Sequence, residues 1–120
     1  MSEFEHFEKA LKSSVDFPVE INLDSYPDIG FDIKFDTQPD EATITQCVSA
    51  LVDYVYRYNR THLIRPIHYV SELGWLPDPP SPFFVSVHID FGYANPKSAL
   101  RGALKALEKT KLPISKLYLE

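Results

Sequence analysis

The stretch Phe83-Phe84-Val85-Ser86-Val87-His88-Ile89-Asp90-Phe91-Gly92 decides how the rest of the chain is read. Phe83, Val85, Val87, Ile89 and Phe91 alternate with Phe84, Ser86, His88, Asp90 and Gly92, a period of two that only a strand with one buried face produces. Just downstream, Asn95 and Pro96 supply a cap and a first-turn residue, and Leu100, Ala103, Leu104 and Leu107 form the apolar stripe of a helix. Lys111 and Pro113 close it. A last strand is expected over residues 114–119, although its alternation is less clear.

Upstream of the central strand, residues 71–82 hold four of the ten prolines, so this segment is a stiff loop and neither helix nor central strand. Residues 63–70 are β-branched and aromatic but contain Pro66, which predicts an edge strand. Before them, Ile44, Cys47, Val48, Leu51, Val52, Val55 and Tyr58 recur at three and four, the mark of an amphipathic helix over about residues 39–60. Thr37, Pro39 and Asp40 provide its start. Ile29, Phe31, Ile33 and Phe35 alternate with Gly30, Asp32, Lys34 and Asp36, and Val19, Ile21 and Leu23 with Glu20, Asn22 and Asp24. These two strands, joined by Ser25-Tyr26-Pro27-Asp28, are candidates for a hairpin. At the front, Ser2 and Glu5 have capping-box spacing, and Phe4, Phe7 and Leu11 set a short helix over residues 3–13.

From residue 30 onward the order is strand, helix, strand, strand, helix, strand. That is the split β-α-β of an α+β, two-layer ferredoxin-like (βαββαβ) sandwich, here with an extra N-terminal helix and strand. The order 4-1-3-2 already flanks the first strand on both sides. Residues 18–24 must therefore join an edge, or the topology is a variant. One domain, residues 1–120, follows from the length. Two helices with single apolar stripes cover one sheet face and leave the other open or partner-covered.

Bulk features exclude several classes. One cysteine forbids an internal disulfide, and four scattered histidines argue against structural zinc. No apolar run approaches the roughly 18 residues of a membrane helix, and the first fifteen residues are too acidic for a secretory signal, so a soluble, cytoplasmic protein is expected. The net charge of −5 is unevenly spread: residues 1–41 hold 11 acids against three lysines, residues 42–120 hold 6 acids against 9 bases. A dense acidic segment repels nucleic acid and attracts basic partners.

Acids recur every four residues at Asp16, Glu20, Asp24, Asp28, Asp32, Asp36 and Asp40. Even spacing along strands places them on one face, relieved by Lys34. A solvated sheet surface accounts for such a ribbon, and a docking surface for a basic partner accounts for it too. Asp32, Asp36, His88 and Asp90 share polar strand faces, which could hold a divalent cation or do acid–base work, or could be ordinary polar surface. Tyr54, Tyr56, Arg57, Tyr58, Arg60, His62, Arg65 and His68 interleave rings with cations at a helix end, where macrodipole complementation is one explanation and base or phosphate binding another. Lys97, Arg101, Lys105 and Lys109 make an i, i+4 basic stripe. Trp75 sits in the proline-stiffened loop, as an interface anchor or packed back on the domain. Cys47 falls on an apolar stripe and is an inert core thiol.

No phosphate loop, nucleophile elbow or paired cysteine motif is present. The leading expectation is a non-catalytic cytoplasmic binding protein of immunity or inhibitor type, monomeric or homodimeric, without cofactor or metal. It neutralises a basic protein such as a toxin or nuclease through Glu20, Asp24, Asp28, Asp32, Asp36 and Trp75. Against it stand a regulatory ferredoxin-like homodimer that binds a small metabolite at the open sheet face or the Arg57–His68 cluster, and a metal-dependent hydrolase built on Asp32, Asp36, His88 and Asp90.

Overall fold

A computed structural model describes residues 3–67, 69–71 and 83–120 of the chain. They form an α+β domain with three helices and one mixed sheet. In chain order the elements are α1 (Glu3–Ser13), β1 (Val19–Ile21), β2 (Asp28–Phe35), α2 (Glu41–Thr61), β3 (Tyr69–Ser71), β4 (Phe84–Asp90), α3 (Pro96–Lys109) and β5 (Ile114–Leu119). Their order in the sheet is β1-β5-β2-β4-β3. β2 runs antiparallel to both β4 and β5, β3 antiparallel to β4, and β1 parallel to β5.

The hairpin expected between β1 and β2 does not form. β5 lies between them, with Val19 opposite Leu117 on one side and Ile33 opposite Leu117 on the other. The first strand therefore takes the sheet edge, and residues 22–27 carry the chain over the end of β5. Asn22 N–H donates to the Leu119 carbonyl, Tyr26 N–H to Leu23 and Asp28 N–H to Ser25, so the link is tightly hydrogen-bonded. Tyr26 stacks on Phe91 at 5.8 Å, and its hydroxyl donates to the Ala94 carbonyl at 2.6 Å. The peptide bond before Pro27 is cis.

Alternation in β2 and β4 matches the observed burial. Ile29, Phe31, Ile33, Phe35, Val85, Val87 and Ile89 are buried, and their neighbours are partly open. The buried row meets Cys47, Leu51 and Val55 of α2 and Leu100, Ala103, Leu104 and Leu107 of α3 in one core. α1 closes its flank with Leu11, and Phe7 packs beside it. The weaker alternation of the last strand has a cause in register. A bulge falls where β5 meets Lys34 and Phe35, so residues 114–116 are all half-buried and the two-residue period starts at Leu117.

Helix ends follow side-chain chemistry. Asp40 is the cap of α2 and accepts from Thr43 N–H at 2.8 Å, so the helix begins later than the Thr37 start expected from sequence. That bond holds the Asp40 carboxyl below its ordinary pKa. Asn95 caps α3 as expected, accepting from Lys97 N–H at 2.9 Å, and Pro96 follows. The edge strand expected over residues 63–70 is confined to Tyr69–Ser71. Residues 63–67 instead form a bend, with Leu63 and Ile64 outward, that is held by Asn59: its amide donates to the Ile67 carbonyl at 2.9 Å and accepts from Ile67 N–H at 2.8 Å. No helix among the described residues is long and apolar enough to cross a membrane.

Candidate functional site

All three helices pack against the same face of the sheet, and the opposite face carries the partly open row of β2, β4 and β5. Strand register orders its side chains into rows. Lys116, Lys34 and Phe84 lie abreast at one end, and Glu20, Tyr118, Asp32 and Ser86 form the next row. Then come Glu120, Gly30 and His88, and finally Asp28 with Asp90. The face is thus polarised: lysines and rings at one end, carboxylates at the other.

Contacts within it are specific. Ser86 hydroxyl donates to Asp32 at 2.8 Å, and His88 Nε2 stands 3.5 Å from Asp28. Lys116 Nζ lies 3.2 Å from the Glu20 carboxylate and 4.9 Å from the Tyr118 ring centre, and Phe84 meets Tyr118 at 5.8 Å. The hydrogen bond that Lys116 donates to the Glu20 carboxylate holds the ammonium above its ordinary pKa. Gly30, without a side chain between Glu120 and His88, leaves the middle of the carboxylate end low.

The acidic ribbon read from sequence is therefore divided. Because β5 separates β1 from β2, Glu20 is joined to Lys116 across the sheet edge rather than to the acids of β2. Asp28 and Asp32 share the open face, and Asp24 is exposed in the turn that leads into β2. Asp36 lies past Phe35 at the far end of β2. Trp75 lies outside the described residues, as does His68. The cation constellation does not assemble as drawn either. Asp32 pairs with Ser86 and Asp28, not Asp36, reaches His88, and no three histidine, cysteine or acidic side chains among the described residues converge to hold a metal.

The helical side holds what sequence spacing could not bring together. α2 packs on α3, and Arg57 and Arg60 from the cluster at the end of α2 border one groove with Lys105 and Lys109 from the stripe of α3. Its floor is Ala50 and Ala106, and Gly102 continues it. Tyr54 lies across Gly102 and donates to the Ala99 carbonyl at 2.7 Å; a Cβ at position 102 would run into its ring. Burial raises the Tyr54 phenol well above its ordinary pKa, so it stays neutral. Small residues facing each other on two helices were the available sequence signal, but they become a groove only once the helices are known to be neighbours.

Cys47 is fully buried, and burial pushes its thiol up to about 12. It has no reactive character. Comparison of the chain with protein-family models, with curated proteins and with solved structures finds no match.

Proposed function

We propose that the chain is a non-catalytic, cytoplasmic binding protein that lays the carboxylate end of its uncovered sheet face on a basic protein partner, as an inhibitor or immunity-type protein covers a toxin or nuclease. The observation that carries this reading is the row order of the open face, where Asp28, Asp32, Asp90 and Glu120 fall in the row of Gly30 or the rows beside it, and Asp24 stands exposed in the turn that leads into β2. Charge of one sign gathered on a face that no described element covers raises the association rate of an opposite surface and fixes its orientation. The low centre at Gly30 suits a long basic side chain entering between the carboxylates.

The ferredoxin-like assignment belongs to the same proposal. It is supported by two strand-helix-strand segments, β2-α2-β3 and β4-α3-β5, whose strands interleave as β5-β2-β4-β3 with β1 added at the edge. The alternative homodimer would bury the same open face against a second copy, and like-charged carboxylate ends oppose that pairing in a parallel arrangement.

The test is affinity capture from the source cells followed by kinetics on what is captured, with the parent chain and with Asp24→Asn, Asp28→Asn and Asp32→Asn combined. The expected result is a basic partner whose association slows and loses its salt dependence with the triple variant. An association rate at low salt that is the same for both proteins overturns the proposal.

A further inference from the structure

The groove between α2 and α3 lies on the side of the domain opposite the sheet face and has the opposite charge. Its main part has a volume of about 470 Å³, and a second part of about 250 Å³ meets it along Arg57, Ala106 and Lys109. Four cations, Arg57, Arg60, Lys105 and Lys109, border these two parts with one carboxylate, Asp53. In a chain whose net charge is −5, that excess is local and directed.

Two of the groups are already engaged. Lys105 Nζ lies 3.3 Å from Glu108, and Arg57 Nε donates to the Asp53 carbonyl at 3.4 Å. The second contact occupies one of the five guanidinium donors, so the paired terminal nitrogens keep the fork that fits a phosphate. The helical backbone offers no free N–H in mid-helix, so side chains must do the recognising. Tyr56, a residue 67% exposed, lines the main part and offers a ring on which a base can stack. Tyr54, anchored to Ala99, walls the second part.

We propose that this groove binds a phosphorylated small molecule of nucleotide size, with a diphosphate or triphosphate among Arg57, Arg60 and Lys109 and an aromatic base on Tyr56. With Lys105 answered by Glu108, Arg57, Arg60 and Lys109 against Asp53 leave the lining net positive, the sign that a phosphate chain needs. The volume falls within the range of about 300–1,000 Å³ typical of small-ligand sites. A monocarboxylate would leave most of the cations unanswered. The reading is independent of the sheet-face proposal, because the two surfaces share no residue.

The experiment is calorimetric titration of the full chain with ADP, inorganic pyrophosphate and adenosine, and with a ten-residue single-stranded oligoribonucleotide. ADP should bind saturably, pyrophosphate should compete with it, and adenosine should bind far more weakly. Arg57→Gln with Lys109→Gln should weaken ADP at least about tenfold, since charge-assisted bidentate contacts are lost. Ala106→Leu should fill the floor and abolish binding while leaving the far-ultraviolet circular dichroism unchanged. No saturable binding of ADP or pyrophosphate at millimolar concentration overturns the proposal, as does equal ADP affinity in the parent and the charge variant. The oligoribonucleotide bound in the absence of any ADP binding would assign the groove to a nucleic-acid backbone and also overturn it.

Discussion

The open sheet face and the α2–α3 groove are built by opposite means. On the sheet, neighbours are dictated by register: Asp32 is beside Ser86 because β2 and β4 pair antiparallel, and alternation alone says that both point away from the core. In the groove, Arg57 and Lys109 are 52 positions apart and meet because α2 and α3 happen to lie against each other with Ala50, Gly102 and Ala106 between them. A sheet organises charge that is periodic in sequence. A helix pair organises charge that is not, and does so by omitting side-chain bulk.

The largest effect is expected where both surfaces depend on the same support. Phe31 is fully buried on the helix side of β2, the central strand, so Phe31→Ala should cost about 3–5 kcal/mol. Urea unfolding measures it. Both proposed binding activities should fall together in proportion to the unfolded fraction; if one survives at full strength, the two surfaces do not rest on one cooperative core.

Next come substitutions that should touch one side alone. Asn59→Ala removes the two bonds that hold residue 67 and should cost about 1–3 kcal/mol by the same measurement. Gly102→Ala must displace the Tyr54 ring and its bond to Ala99, so a loss of about 1–3 kcal/mol and a deformed groove are expected, with partner association at the sheet face unchanged. A Gly102→Ala chain as stable as the parent, with Tyr54 in place, would show that the helices can part without cost.

A further prediction concerns pH. Burial raises the Cys47 thiol from 9.0 and the Tyr26 phenol from 10.0, each to about 12. Both groups hold their protons in the folded chain at pH values where the unfolded chain has lost them. Stability from this source is complete below about pH 9 and declines as pH rises toward 12. Thermal unfolding between pH 8 and 11 should show the decline, and Cys47→Ala with Tyr26→Phe should reduce it, the remainder above about pH 10 coming from the Tyr54 phenol, which burial also raises. Asp40 has the opposite sign: its lowered carboxyl contributes above its ordinary value of 3.8, and the contribution is lost as pH falls through the folded value. The smallest effect belongs to the exposed edge pair, where Glu20→Gln should leave the melting temperature nearly unchanged.

Element by element, the polar and apolar alternation of residues 29–35 and 84–90, and the stripes of residues 44–58 and 100–107, were legible because burial on one face writes its period into the chain. Cap residues such as Asn95 were legible because their hydrogen bonds are local. Where the reading departed from the structure, a side-chain or strand partner that periodicity does not encode had intervened. Residues 63–67 are apolar enough for a strand, but the side chain of Asn59 takes the backbone of Ile67, and the strand starts only at Tyr69. The expected hairpin of β1 and β2 gave way to parallel pairing with β5, from almost a hundred residues later.

The charge map divides in the same way. Sequence by itself determined that residues 1–41 are acidic, that strand acids face away from the core, that a basic stripe rides on the last helix and that cations interleave with rings at the end of the long one, since side-chain direction in a regular element follows from backbone geometry. Tertiary structure alone decided that Glu20 answers Lys116 and not the acids of β2, that Asp36 stands apart from Asp28, and that Arg57 and Lys109 share a groove. The physical reason is that strand order and helix pairing are set by the packing of the whole core, and no short stretch of sequence contains it.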